Sequence, residues 1–116
     1  MSKHRGSCHC GAVSFEAKGE FTQAISCNCS ICQKKGSLLA FVPETAFKLV
    51  SGEAALTDYQ FGKKNIHHTF CKTCGVTPFS SGQAPDGTKV KAINLRCLDG
   101  IDLKSLQINE VDGRSF

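Results

Sequence analysis

The chain has no tryptophan and a single tyrosine, Tyr59, so its eight phenylalanines carry most of the aromatic packing. Nothing in it approaches the roughly 18 consecutive apolar residues that suggest a membrane span. No apolar run of signal-peptide length follows Met1-Ser2-Lys3-His4-Arg5. These absences argue against a membrane protein and make the cytoplasm the expected location, where thiols stay reduced. Low-complexity segments, linkers, internal repeats and long amphipathic helical patterns are missing too. A chain of 116 residues with no linker is expected to be one domain spanning 1–116. A domain of that size buries only a modest core.

Cysteine, by contrast, is abundant. Of eight cysteines, seven fall in tight clusters: Cys8-His9-Cys10, Cys27-Asn28-Cys29-Ser30-Ile31-Cys32, and Cys71-Lys72-Thr73-Cys74-Gly75. Only Cys97 stands alone, and it is expected to be a buried thiol. In a reducing compartment, clustered cysteines point to metal ligands or redox groups rather than to a disulfide framework. A one-residue gap is also very short for an unstrained bridge within a pair.

The formal net charge of +4 counts every cysteine as neutral. Metal ligands bind as thiolates. Seven thiolates on two Zn²⁺ ions change the charge by −3, which leaves +1. The basic balance then gives little support to nucleic-acid binding, and there is no basic tail or block to supply it.

Along the chain, residues 1–7 read as a short basic lead-in, with residues 1–5 loose, and Gly6–Gly11 reads as a tight, glycine-flanked turn. Alternation predicts strands over 12–17 (Val13 and Phe15 inward), 55–61 and 89–95. Residues 21–26 read as a strand entering the triple-cysteine stretch, and 33–37 as a loop. The apolar run 38–42 reads as a buried strand that Pro43 ends, with one helical turn over 43–46. Shorter strands are expected at 47–50 and 66–70, a turn at 62–65, a loop over 80–87 and a final strand within 103–111. Many short strands and glycine turns argue for an all-β domain.

Tetrahedral Zn²⁺ with bonds of about 2.3 Å to sulfur holds its thiolates roughly 3.7 Å apart. Cys-x-x-Cys in a turn reaches that spacing and lets backbone N–H groups point at the sulfurs. Gly75 suits the exit, where φ is usually positive. Cys-x-Cys reaches the same spacing because i and i+2 share one side of an extended segment. Cys8 and Cys10 with Cys71 and Cys74 make the four ligands of a closed, structural zinc. Cys27, Cys29 and Cys32 remain as three ligands with one position open, the pattern of catalytic zinc. His9, His67 or His68 could complete that set and close it. The spacings match neither common ferredoxin pattern, and no βαβ context supports a thioredoxin-like role for Cys71 and Cys74.

Taken together, Gly6-x-Cys8-x-Cys10-Gly11-x-Val13-x-Phe15, Cys27-x-Cys29-x-x-Cys32 and Thr69-Phe70-Cys71-x-x-Cys74-Gly75 resemble the glutathione-dependent formaldehyde-activating enzyme family. The domain of centromere protein V is similar. The resemblance runs from about Gly6 to Asp99. It implies a β-tent zinc fold of short antiparallel sheets, a structural zinc on Cys8, Cys10, Cys71 and Cys74, and a second, labile zinc on Cys27, Cys29 and Cys32. It also implies the family's best-known activity, a carbon–sulfur lyase reaction in which glutathione and formaldehyde condense to S-hydroxymethylglutathione.

The partners so implied are a small thiol such as glutathione and a small aldehyde. The thiol could take the fourth position and lose its proton there. Alternatively, zinc could polarise the carbonyl. Three thiolates weaken a Lewis acid, which favours thiol binding. Lys34 and Lys35, just past the cluster, are the local candidates for contacts to glutathione carboxylates. The chain departs from the family pattern at Ile66–Thr69, where an arginine is common, at Leu95–Gly100, which keeps Leu98-Asp99 but lacks the second acid, and at Gln107-Ile108, where His-Ile is common. Those positions would shape a pocket rather than hold a metal. A non-catalytic thiol carrier and a zinc-stabilised interaction domain are the alternative functions.

Overall fold

The computed structural model describes residues 3–61, 66–84 and 86–112. Its strands are β1 (Lys3–Ser7), β2 (Ser14–Lys18), β3 (Gln23–Cys27), β4 (Leu39–Pro43), β5 (Phe47–Ser51), β6 (Leu56–Tyr59), β7 (His68–Cys71), β8 (Phe79–Gln83), β9 (Lys89–Asn94) and β10 (Gln107–Val111). One short helix, α1 (Ser30–Lys35), lies between β3 and β4. The fold is therefore mostly β, as composition and turn spacing predict.

Three sheets result. One is antiparallel with the order β1-β2-β5, one is the β6-β7 pair, and the largest has the order β10-β3-β4-β9-β8. The largest sheet is mixed, because β10 runs parallel to β3. Among the described residues, no helix is long and apolar enough to cross a membrane.

The core forms where the inward faces of the sheets meet. Val13, Phe15, Ala17, Ile93 and Leu95 are wholly buried. Phe15 stacks on Phe47 at 5.4 Å between ring centroids, and Phe47 lies 4.6 Å from Phe79. These three rings take the place of a tryptophan. Gly52 sits at the end of β5 with φ +93°, and a side chain there would run into the Ala12 carbonyl and the Val13 backbone. Only glycine meets both demands, so β5 can press directly on the first cysteine turn.

Several elements differ from the sequence reading. Residues 3–7 are not a loose lead-in: they pair with β2 in full register, Lys3 with Lys18 through Ser7 with Ser14. Gln33–Lys35 belong to α1 rather than to a loop, and the loop is reduced to Gly36 and Ser37. Gly36 ends the helix at φ 70° and donates its N–H to the Cys32 carbonyl. Residues 80–83 of the expected loop join Phe79 in β8, because five register pairs with β9 outweigh the weak strand preference of Ser-Ser-Gly. The strand expected over 21–26 starts later, at Gln23. The strand expected over 66–70 is confined to His68–Cys71. The turn at 43–46 is a 3₁₀ turn, Glu44–Ala46. The turn expected at 62–65 lies outside the described residues.

Candidate metal centres and the cavity beside them

Cys8 and Cys10 follow β1, Cys71 ends β7, and Cys74 lies in the turn beyond it. Folding brings all four sulfurs together. Cys8 Sγ lies 3.7 Å from Cys10 Sγ, and Cys10 Sγ 3.6 Å from Cys71 Sγ. Those separations are what a tetrahedral zinc with bonds of about 2.3 Å imposes. Backbone N–H groups of Val13 and Thr73 donate to the sulfurs of Cys8 and Cys71, each at 3.4 Å. The turn closes with Gly75 at φ +81°, as the Cys-x-x-Cys-Gly motif predicts.

Without a cation the four thiols compete. Backbone N–H groups of Cys10 and Val76, with the neighbouring thiols, pull Cys74 down to about 6. The Ala12 N–H also favours the Cys10 thiolate, but burial and the sulfurs of Cys71, Cys8 and Cys74 outweigh it and push Cys10 up to about 11. Four sulfurs this close cannot all ionise until a positive charge sits among them. The donor set therefore fits a closed tetrahedral metal site.

The second cluster joins Cys27, the last residue of β3, with Cys29 and Cys32, which bracket the start of α1. The ligand atoms of each cluster lie within 4.8 Å of one another. Among the described residues no histidine or carboxylate joins either group, so the trio offers three ligand atoms. His9 is exposed, and His67 is engaged by Asp58 at 2.7 Å. Burial raises Cys29, but the Cys32 and Cys27 thiols and the N–H groups of Cys32 and Ile31 outweigh it, so Cys29 titrates low. Burial and the same two neighbours push Cys32 up to about 12. Here too a cation resolves the competition.

All three of these cysteines line one cavity of about 580 Å³. Its walls are mainly carbon, from Ile25, Leu39, Phe41, Phe61, Ile66 and Val111 among others. Phe41, Phe61 and Ile66 are exposed at its rim. Lys35 also lines it, with its ammonium donating to Thr77 Oγ1 at 2.9 Å. Desolvation holds that lysine below its ordinary value, opposed by the Cys32 charge. Lys34, its sequence neighbour, is exposed as Lys35 is, but lies outside the cavity lining.

His68, which the sequence offers only as a possible fourth ligand, lines this cavity instead. It is buried, stacked on Phe61 at 5.2 Å, and held below the usual histidine value by desolvation and the Lys35 charge. The signal for it was present: it alternates with Phe70 on the strand entering Cys71, which places it on a defined face. A second groove shares Cys27 and Cys32 with this cavity and carries Glu110 and Asp112.

Cys97 belongs to neither cluster. It is half-buried in a 3₁₀ turn, Leu95–Cys97, and its thiol points at the Thr77 carbonyl, 3.7 Å away. Burial, then the Cys8 and Cys74 charges, push it up to about 11.

A family model described as glutathione-dependent formaldehyde-activating enzyme matches residues 3–109. A crystal structure of a Rhodobacter sphaeroides protein, a structural-genomics target, superposes with a TM-score of 0.78. It is 31% identical in sequence, over 90% of this chain and 99% of that one.

Proposed function

The chain belongs to the glutathione-dependent formaldehyde-activating enzyme family, and from that membership we propose that it is a zinc-dependent carbon–sulfur lyase that joins a thiol to formaldehyde or a related small aldehyde. The observation that carries the proposal is the contrast between its two clusters. Four thiols form a closed set, while three thiols line a ligand-sized cavity with no fourth protein donor among the described residues. Cys8, Cys10, Cys71 and Cys74 hold the structural ion. Cys27, Cys29 and Cys32 hold the working one.

Cys27, Cys29 and Cys32 would hold a zinc ion, which would supply an open position for the substrate thiol and lower its pKa toward neutrality. His68 is neutral at pH 7, since its pKa lies below the ordinary histidine value, and can take up the proton the thiol releases. Lys35, tethered to Thr77, sets a positive charge at the wall where the carbonyl oxygen gains electron density. The thiol sulfur forms a bond to the carbonyl carbon, and the C=O π pair moves to oxygen. That oxygen receives the proton taken from the thiol. No electrons are gained or lost overall, so no redox cofactor is required.

Replacing Cys29 with Ala tests the assignment. The variant should stay folded, carry one zinc instead of two by native mass spectrometry, and lose acceleration of adduct formation in exchange NMR. A variant that unfolds instead, or that still carries two ions, contradicts the open-site reading.

A further inference from the structure

We infer that the thiol accepted at the Cys27–Cys29–Cys32 site has an apolar body, an alkyl or aryl thiol rather than glutathione. This rests on the proposed function and names its substrate class. Formaldehyde has two heavy atoms and needs almost none of a 580 Å³ cavity. The space therefore serves the body of the thiol.

That space suits glutathione poorly. Glutathione brings two carboxylates, an ammonium and two peptide groups, all of which need partners when they leave water. Lys35 is the one cationic side chain among the described lining residues, and a single ammonium cannot match two carboxylates. His68 is neutral. Three thiolates with one divalent ion leave a charge of −1 at the site, which repels further anions. The second groove at the cluster offers no better seat, because its described charged residues are both acidic, Glu110 and Asp112. Lys34 lines neither space.

The same walls suit a hydrocarbon. Ile25, Leu39 and Val111 give the interior a carbon surface, and Phe41, Phe61 and Ile66 extend it to the rim. Exposed aromatic and branched side chains gathered around one opening gain stabilisation when an apolar group covers them.

The test uses the full-length protein with cobalt(II) in the metal sites. Titration follows the sulfur-to-cobalt charge-transfer band with ethanethiol, butanethiol, hexanethiol, phenylmethanethiol and glutathione. Affinity should rise about fourfold per methylene along the alkyl series, with glutathione no tighter than ethanethiol. Phe41→Asn, at an exposed rim position that does not threaten the fold, should weaken hexanethiol several-fold and leave ethanethiol unchanged. A flat alkyl series, or glutathione binding tighter than hexanethiol, overturns the inference while leaving the open metal site standing. A spectrum that no thiol perturbs overturns both the inference and the function beneath it.

Discussion

His68 shows how one buried side chain can couple the cavity to pH. Desolvation and the Lys35 charge lower its pKa in the folded chain, with Asp58 opposing and His67 adding to the effect. In the unfolded chain it titrates near 6.5. Because the folded value is the lower one, the neutral ring contributes stability that is fully present above about pH 6.5 and is lost as pH falls through the folded value. His68→Phe removes that term and keeps a ring against Phe61. In urea melts at pH 7.5 and 5.5, the wild type should lose more of its midpoint than the variant does. An equal loss in both proteins would show that His68 is not desolvated. Thiol protonation at the metal sites acts on both proteins alike, so the difference between them reports the histidine.

At the level of elements, β3 decides whether the trio forms at all, because Cys27 is its last residue. On one side β3 meets β4 through a single register pair, Ile25 with Leu39. On the other it meets β10 through five pairs that end at Val111 opposite Cys27. The Asn28 N–H continues the ladder to the Val111 carbonyl at 3.1 Å. A chain ending at Leu106 keeps the core and all seven clustered cysteines but frees the outer edge of β3. We expect it to fold, to hold the closed-site zinc normally, and to bind the second zinc at least tenfold more weakly, since a ligand's supporting contacts are typically worth 10–100-fold in metal affinity. Competition with a chromophoric chelator would read this as one tight ion per chain instead of two. Two equally tight ions would mean that the trio does not depend on β10.

This dependence is also where sequence reading stops. The cysteine spacing names both clusters, and strict alternation in Lys89–Leu95 finds β9, because those signals are local. β1 was missed because its residues, Lys-His-Arg-Gly-Ser, have no apolar face to announce a strand, and only pairing with β2 orders them. Helix α1 is too short to show a helical period, and its start at Cys29 and stop at Gly36 are visible mainly in the backbone. That β10 runs parallel to β3 follows from a connection most of the chain long, about which local pattern is silent. Phe41 and Phe61 read as ordinary strand residues, since which face of a strand borders a cavity depends on how the sheets come together.

Over the whole molecule, the four-cysteine site is placed to cross-link sheets that share a small core. Cys8 and Cys10 extend from the β1-β2-β5 sheet, while Cys71 ends the β6-β7 pair. Cys10 and Cys71 are 61 residues apart in sequence, and closing a loop of that length removes about 4 kcal/mol of unfolded-chain entropy on the disulfide scale. A zinc ion on the four thiolates would perform the same closure only while all four hold it. Cys71→Ser should therefore cost about 4 kcal/mol, enough at this chain length to lower Tm by roughly 20 °C. Excess chelator should move the wild type in the same direction. Cys29→Ser, in a cluster confined to one short stretch of chain, closes no long loop and should cost no more than about 1 kcal/mol. Thermal melts of the two serine variants separate the roles. A large loss at Cys71 with a small one at Cys29 matches a molecule whose fold depends on one metal and whose chemistry depends on the other. Equal losses would make both clusters structural, and the cavity beside the trio would then need an explanation that does not involve catalysis.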